Sequence, residues 1–269
     1  MQNIIILGSN GMLGQMARRY FASEGFGVVE FNTRFTERNF NSFVAEINGF
    51  ENSFVINCIG SIKQKSEEAS DLLWANSILP LALARSLKSS HILIQPSTDC
   101  VFDGLNEESY DYSDVHSASD VYGWSKSLGE TAVLDMLNSL IVRVSIIGPD
   151  RNSNKGLLAW FLNSIPGSTL NGYSNHFWNG ITTLEWCKRV HEILIDELLL
   201  DKLLKQGVIQ LGTKKTYTKG EMLTIFNKIF QKDFDIKLVK VKYTNRCLVP
   251  HIESKPLEDQ LHEMIKFQQ

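Results

Sequence analysis

Residues 1–14 read MQNIIILGSNGMLG, an apolar run followed by a glycine-rich turn. Residues 4–7 are uniformly apolar, which is typical of a parallel strand covered on both faces. Beyond the turn, apolar residues recur at the helical spacing i, i+3, i+4, i+7 and i+8, and they are Leu13, Met16, Ala17, Tyr20 and Phe21. The opening therefore predicts a strand, a turn and an amphipathic helix, the first unit of a dinucleotide-binding sheet.

Further apolar runs of strand length follow, separated by segments long enough for helices. They lie at residues 28–31, 54–58, 92–95 and 140–147. This alternation predicts an α/β protein of the Rossmann type, built on a doubly wound parallel sheet. We assign residues 1–150 to this dinucleotide-binding domain.

The second half of the chain has a different pattern, with a polar break near residue 150 and later Pro-Gly and Asn-Gly pairs that indicate turns. We expect residues 151–269 to form mainly a smaller C-terminal substrate lobe. The elements predicted there are a helix over 184–205, a strand over 208–211, a helix carrying Leu223, Phe226 and Phe230 on one face, and a half-solvated strand over 236–243. The segment near 184–212 is expected to return to the first domain.

Composition excludes several classes of function. The chain has 269 residues, 43% of them hydrophobic, and a net charge of −3 with both signs interspersed, so we expect no nucleic-acid partner. Its apolar runs are far shorter than the roughly 20 residues needed to cross a bilayer, so we expect a cytoplasmic protein with no membrane partner. The four cysteines and six histidines are scattered, which predicts neither a metal site nor a redox dithiol. A homodimer is possible.

The glycine-rich turn is a candidate cofactor site. It reads GSNGMLG over residues 8–14 and lies where a phosphate-binding turn belongs. Glycine allows close backbone approach, and the following helix offers free N–H groups to a pyrophosphate. The cofactor-binding residues predicted here are Gly8, Asn10, Gly11, Met12, Leu13 and Gly14.

The end of the second strand bears on cofactor choice, because NAD-binding proteins usually place an acidic residue there. Residues 30–34 read EFNTR. If Asn32 takes the acidic position, a 2′-phosphate is not repelled, and Arg34 can pair with it. This interpretation favours NADPH. In the alternative, Glu30 binds the ribose, Arg34 is solvated, and NADH is used.

Tyr122 and Lys126 form a candidate acid–base unit, because a helix places residues four apart on one face. A lysine cation near the phenol would lower the tyrosine pKa toward the working pH. Directly after a predicted strand, Thr98 lies at the sheet edge where ligands bind and can hydrogen-bond a developing alkoxide. The three residues predict reduction of a ketone by hydride, with proton transfer.

Three stretches together resemble the dTDP-4-dehydrorhamnose reductase family of extended short-chain dehydrogenases. They are GSNGMLG at 8–14, STDCVFDG at 97–104 and YGWSKSLGE at 122–130. The resemblance is strong over residues 1–150. It implies an NADPH-dependent nucleotide-sugar reductase that reduces a 4-keto-6-deoxy sugar for surface polysaccharide.

The resemblance also implies roles for individual residues. Thr98 polarises the ketone, Tyr122 donates the proton, and Lys126 holds the nicotinamide ribose and tunes the tyrosine. Further residues implied to line the cofactor are Asn57, Cys58, Ile59, Gly60, Asn76 and Ser97, and those implied to contact the substrate near the turn are Asp99 and Val101.

The sequence also departs from this family. Cys100 stands where an aromatic residue is usual, and Asp120-Val121 replaces a proline-containing approach to the tyrosine. The family's C-terminal Arg-Pro…Ser-x-Leu pattern is missing, with only a partial match at 245–248. These differences suggest a lobe of different specificity.

In the lobe, aromatic and basic side chains are candidates for substrate binding. Trp160, Phe161 and Trp178 can stack on a base or sugar, or can belong to the core. Arg246 can neutralise a diphosphate. Residues 179–183, which read NGITT, resemble a segment that packs beside the sugar, and they are equally compatible with a turn.

Two other functions remain open at this point. One is a nucleotide-sugar epimerase or dehydratase on the same fold, although Cys100 directly after Asp99 disfavours a dehydratase. The other is a non-catalytic NADP-binding regulatory subunit, against which the intact Thr98, Tyr122 and Lys126 argue.

Overall fold

The computed structural model describes residues 3–62, 68–134, 136–149 and 156–269. Up to residue 147 the strands are β1 (Asn3–Leu7), β2 (Gly27–Phe31), β3 (Ser53–Asn57), β4 (Ile92–Thr98), β5 (Ser139–Val144) and β6 (Ile146–Ile147). The helices are α1 (Met12–Ser23), α2 (Phe40–Ile47), α3 (Ala69–Leu73), α4 (Leu79–Ser86) and α5 (Val121–Leu134). A π-helical turn (Trp74–Ile78) joins α3 to α4, and a 3₁₀ turn (Asp99–Val101) follows β4.

Beyond residue 156 the strands are β7 (Thr169–Tyr173), β8 (His176–Trp178), β9 (Ile181–Thr182), β10 (Val208–Thr213), β11 (Tyr217–Thr218), β12 (Asp235–Val239), β13 (Thr244–Asn245) and β14 (Ile252–Ser254). The helices are α6 (Leu157–Leu162), α7 (Thr183–Ile195), α8 (Glu197–Gln206), α9 (Lys219–Ile229) and α10 (Leu257–Gln268). In the described ranges, no helix is long and apolar enough to cross a membrane.

The central sheet has seven parallel strands in the order β2-β1-β3-β4-β5-β10-β14. The chain runs outward from β1 to β2 and then crosses back to β3, so the winding reverses between β1 and β3. In such sheets this switch point opens a crevice at the carboxyl ends of the strands. The predicted Rossmann-type doubly wound sheet is confirmed.

Alternation along β1 explains why the sheet needs cover on both faces. Ile4 and Ile6 belong to one buried cluster with residues of α1 and α7, whereas Ile5 and Leu7 belong to a second cluster with residues of α2 and α4. Successive strand side chains point to opposite faces, so a uniformly apolar strand must be covered twice.

The helix predicted over 184–205 is two helices, α7 and α8, because Asp196 interrupts it. Asp196 has extended backbone angles (φ −98°, ψ 95°), and its carboxylate accepts the Leu199 N–H at 3.0 Å as the N-cap of α8. The chain then enters β10, which pairs with β5, and β14 lies beside β10.

Three smaller sheets lie outside the central one in the described ranges, and one of them is the parallel pair of β6 with β9. The predicted strand over 236–243 is shorter in the structure, where β12 ends at Val239 and pairs in parallel with β7. Strands β11, β8 and β13 form a three-stranded sheet that sequence patterns did not predict. Its strands have two or three residues each, too few to show a clear period of two.

Candidate functional site

A cleft of about 360 Å³ lies at the carboxyl edge of the central sheet. Its lining includes the start of α1, the segment after β3, the end of β4 and the first turn of α5. Thr98, Tyr122 and Lys126 all line it, beside Gly11 and Gly60. A larger cavity of about 530 Å³ lies at the opposite edge, between residues 84–93 and 136–139. The ligand-binding edge of a parallel sheet is the carboxyl one, and the smaller cleft is therefore the candidate active site.

The glycine-rich turn presents backbone rather than side chains. Gly8 has a φ of +73°, and a Cβ there would lie 2.9 Å from Ile59 Cγ1. A Cβ on Gly14 would collide with the Gly8 carbonyl oxygen, so only glycine lets α1 start this close to β1. The turn is thus a cradle open to a pyrophosphate at the helix N-terminus.

The end of β2 contacts this turn through Ser9, which sequence analysis did not single out. Ser9 Oγ lies 2.7 Å from Glu30 Oε2 and 2.6 Å from Asn32 Oδ1. Arg18 Nη1 also approaches Glu30, at 3.4 Å. The Glu30 carboxylate is therefore already engaged by two donors, whereas Arg34 is exposed.

Thr98 and Tyr122 are brought together by a close contact between β4 and α5. Thr98 ends β4, accepts the Cys100 N–H at 3.2 Å and donates to Asp99 Oδ1 at 3.1 Å. A Cβ on Gly123 would collide with the Cys100 carbonyl oxygen, so this glycine lets α5 touch the turn after the strand. At the start of α5, Asp120 accepts the Gly123 N–H at 2.9 Å.

The pKa of Tyr122 differs from the sequence-based expectation. Burial raises the tyrosine pKa above its ordinary value, the charge of Asp99 adds to this, and a hydrogen bond with Thr98 acts in the opposite direction. Lys126 was expected to lower this pKa, but the largest influence on it is burial, which disfavours the charged phenolate. The phenol is therefore protonated at neutral pH, as a proton donor must be.

Lys126 lines the same cleft. Its Nζ donates to the Pro96 carbonyl oxygen at 3.4 Å. Burial lowers its pKa to about 8, and the charge of the Glu130 carboxylate partly opposes this. At pH 7 the lysine is still mostly charged.

Behind Lys126 lies a buried ion pair that sequence analysis missed. Glu130, four residues further along α5, accepts from Arg143 Nη2 at 2.6 Å and Nε at 3.2 Å. Burial raises the pKa of Glu130, but hydrogen bonds from His116 and Arg143 together with the arginine charge lower it to about 2. The available signal was Arg143 itself, a charged residue inside the apolar run 140–147.

The other residues implied to line the cofactor fall into two groups. Those that line the cleft are Asn57, Cys58, Ile59, Gly60 and Ser97. Asn76 is buried and joins the chain after β3 to α5, because its Nδ2 donates to the Ser61 carbonyl oxygen at 2.8 Å and to Ser125 Oγ at 3.0 Å. It therefore holds the wall in place instead of facing the cleft.

The substrate residues proposed from sequence are only partly assembled. Asp99 lines the cleft, but Val101 is fully buried in a cluster with Phe102, Tyr110 and Leu248. Arg246 approaches the same turn, and its Nε donates to the Phe102 carbonyl oxygen at 2.9 Å. Val101 is therefore a packing residue.

The aromatic residues of the lobe do not provide a stacking surface in this cleft. Trp178 is 3% exposed and donates its indole N–H to Ser145 Oγ at 2.9 Å, and Phe161 is fully buried. Trp160 is 42% exposed, but it lines a separate depression with Ile165. Asn179 is buried and pairs with the backbone of Leu248.

The lowered pKa of Lys126 predicts a pH limit for cofactor use. Since the lysine loses its charge as pH rises through about 8, kcat/KM should fall on the alkaline side with an apparent pKa near 8. Lys126→Arg should remove that alkaline limb, because arginine stays charged. Rate profiles from pH 6 to about pH 10 test this. An unchanged limb in Lys126→Arg would assign it to another group.

Comparisons with known proteins place this geometry in context. Residues 1–163 match the family model for the RmlD substrate binding domain. No curated protein matches the sequence. A dTDP-4-dehydrorhamnose reductase from Clostridium acetobutylicum is similar in structure (TM-score 0.81, 19% identity, 99% of each chain covered). So is one from Bacillus anthracis in complex with NADP (TM-score 0.84, 16% identity, 99% of each chain).

A related enzyme shows how widely the fold is shared. The dTDP-glucose 4,6-dehydratase from Bacillus anthracis, in complex with NAD, has a TM-score of 0.78 and 16% identity over 100% of this chain and 96% of its own. At such identities the likeness shows the fold alone, and function must be argued from the site.

Proposed function

The chain belongs to the family of the RmlD substrate binding domain, whose model matches residues 1–163, and from this we propose that it is an NADPH-dependent nucleotide-sugar reductase. Its substrate is a nucleoside-diphosphate 4-keto-6-deoxy sugar, reduced at the ketone. The observation that carries the proposal is the presence of Thr98, Tyr122 and Lys126 in one cleft beside the glycine cradle.

The cradle fits a dinucleotide. Gly11 lines the cleft and is the N-cap of α1, where no described side chain caps the helix, so the free N–H groups of α1 are available there. We assign the pyrophosphate to this turn and the nicotinamide side to Cys58, Ile59 and Gly60. Arg34 is the residue proposed to select the 2′-phosphate of NADPH. NADH use is possible, because Glu30 lies beside the same turn.

The residues of the chain supply the proton and the orientation. NADPH, when bound, supplies a hydride for the ketone carbon. Tyr122 donates its phenolic proton to the ketone oxygen, which becomes the alcohol, and Thr98 hydrogen-bonds that oxygen as negative charge develops on it. Lys126 holds the cofactor ribose, while Glu130 keeps a negative charge one helical turn behind the ammonium.

The same site disfavours one alternative, a dehydratase. Asp99 Oδ1 already accepts from the Thr98 hydroxyl at 3.1 Å, and the residue after it is a thiol with a pKa that burial raises to about 12. Neither Asp99 nor Cys100 therefore supplies the additional acid that dehydration needs. A regulatory subunit would bind NADPH without turnover, which is an outcome of the experiment below.

A substrate panel tests the proposal. The enzyme should oxidise NADPH with dTDP-, UDP- or GDP-linked 4-keto-6-deoxyhexoses at least about 10²-fold more efficiently than with simple ketones, because the nucleotide positions the ketone. NADPH consumption is followed by absorbance, NADH is run in parallel, and the product sugar is identified by NMR.

Three results are distinguishable. Equal turnover of simple carbonyls contradicts nucleotide-sugar reduction. Tight NADPH binding without turnover of any sugar identifies a regulatory subunit. Inversion of a ring carbon without net NADPH loss identifies an epimerase. Conversion of a nucleotide-linked hexose to its 4-keto-6-deoxy form with release of water, and without net cofactor loss, identifies a dehydratase.

A further inference from the structure

Two cations, Lys219 and Arg246, flank the small sheet formed by β11, β8 and β13. Tyr217 pairs with Trp178, and Lys219 begins helix α9 directly after β11. Its Nζ lies 5.6 Å from the centre of the Trp178 ring. Asn245 ends β13 and pairs with Phe177, and Arg246 is the next residue.

Both cations lie near the segment that follows Thr98. Arg246 Nη2 approaches the Asp103 carbonyl oxygen at 3.4 Å, and its Nη1 lies 3.9 Å from Cys100 Sγ. Gly104 has a φ of +79°, and a Cβ there would lie 2.9 Å from Arg246 Cγ, so the glycine makes room for the arginine. The charge of Asp99, which lines the catalytic cleft, raises the pKa of Lys219. The two cations therefore lie beside the 3₁₀ turn Asp99–Val101, which we call the catalytic turn because it follows Thr98.

In the described part of the chain, neither cation forms an ion pair with a carboxylate. Arg246 donates to carbonyl oxygens and a thiol, which are neutral. The nearby carboxylates have other donors: Asp99 accepts from Thr98, and Asp103 accepts from the Tyr110 hydroxyl at 2.8 Å. Burial lowers the pKa of Lys219, although the charge of Asp99 opposes this. Holding such cations together without bound anions costs stability.

We propose that Lys219 and Arg246 form the diphosphate site of the nucleotide-linked substrate, with the ring of Trp178 fixing the lysine. The inference rests on the proposed function, because it assigns a group of that same substrate. Arginine has five N–H groups, and its fork matches phosphate oxygens. Lys219 contributes a compact charge with three N–H donors. Trp178 thus positions a cation instead of stacking on a base.

Lys219→Met tests the assignment, with Lys215→Met as the matched control. Lys215 also lies over an aromatic ring, at 4.6 Å from the centre of Tyr217, but its side chain is 59% exposed. Binding is measured by calorimetry on the NADP⁺-saturated full chain. Lys219→Met should lower the affinity for dTDP and for inorganic pyrophosphate by about 10-fold or more, which is the scale of losing a hydrogen bond to a charged group. Thymidine and NADP⁺ binding should not change, and Lys215→Met should bind all ligands as the wild type does.

Thermal unfolding without ligand separates binding from folding. Because Lys219 has no ion-pair partner in the described ranges, Lys219→Met should unfold at the same temperature as the wild type or higher. A lower unfolding temperature together with unchanged dTDP binding would show a structural lysine and overturn the inference.

The outcomes also separate this inference from the proposed function. If Lys219→Met binds dTDP like the wild type while sugars are reduced, the diphosphate site is wrong and the reductase stands. If pyrophosphate binds in a Lys219-dependent way but no nucleotide-linked ketone is reduced, the anion site stands and the proposed function is wrong. If neither anion binds the wild type, the inference is overturned.

Discussion

Tyr122→Phe should lower kcat for ketone reduction by at least about 10²-fold, the lower range for loss of a general acid. Tyr122 is buried in the cleft beside Thr98, and burial raises its pKa, so the wild-type phenol carries its proton at neutral pH. Phenylalanine keeps the ring and removes only the hydroxyl. The glycine cradle is untouched, and NADPH affinity should therefore stay within about twofold of the wild type.

Single-turnover oxidation of NADPH, measured by stopped flow, checks this prediction. Tyr173→Phe is a suitable control, because this tyrosine lies on β7 and is 38% exposed. It should react like the wild type. A Tyr122→Phe variant that oxidises NADPH at the wild-type rate would assign proton donation to another group.

Arg143→Met should lower the free energy of unfolding by about 3–5 kcal/mol, the cost of leaving one partner of a buried ion pair. Arg143 and Glu130 are only 2% and 4% exposed, and they join β5 to α5. The substitution also leaves Gln210 Oε1 without its donor at 2.8 Å. Since α5 carries Tyr122 and Lys126, the loss bears directly on the site.

Urea denaturation at pH 7 measures the loss, and two variants calibrate it. Lys205→Met breaks an ion pair whose side chains are 75% and 65% exposed, so it should cost less than about 1 kcal/mol. The double variant Glu130→Leu, Arg143→Met should lose less than Arg143→Met alone, because no buried charge is left unpaired.

The pH dependence has a defined sign. The pKa of Glu130 is lowered in the folded protein to about 2 from its ordinary value of 4.5, so its contribution is complete above pH 4.5 and disappears as pH falls toward 2. The difference between wild type and Arg143→Met should therefore shrink over that interval. A difference that stays constant from pH 7 to about pH 3 would show that packing, and not charge, is lost.

The sequence by itself determined the central sheet and the positions of the chemically active residues in it. Uniformly apolar runs such as residues 4–7 can be satisfied only by a strand covered on both faces. The glycine spacing over 8–14 and the four-residue interval from Tyr122 to Lys126 are local features, so they could be found without knowing the fold. Thr98 could be placed in the site because it directly follows a predicted strand, and ligands bind at the carboxyl ends of such strands.

The tertiary structure alone decided which of the remaining side chains face the cleft. Trp178 and Val101 are residue types that can contact a substrate, yet both are buried and pack against other residues. No local sequence pattern distinguishes a substrate-binding residue from a buried one at these positions. The pKa of Tyr122 depends on how completely the cleft excludes water, which is a property of the assembled site.

The partners of charged residues are also a tertiary property. Glu130 and Arg143 are 13 residues apart in sequence and meet only because α5 packs on β5. Lys219 follows β11 and Arg246 follows β13, and both strands pair with β8. Lys219 thereby comes near Asp99, and Arg246 comes near Phe102 and Asp103. Strands of two or three residues are too short for a sequence pattern to predict how they pair. The position of these cations beside the site therefore depends on long-range contacts and not on sequence periodicity.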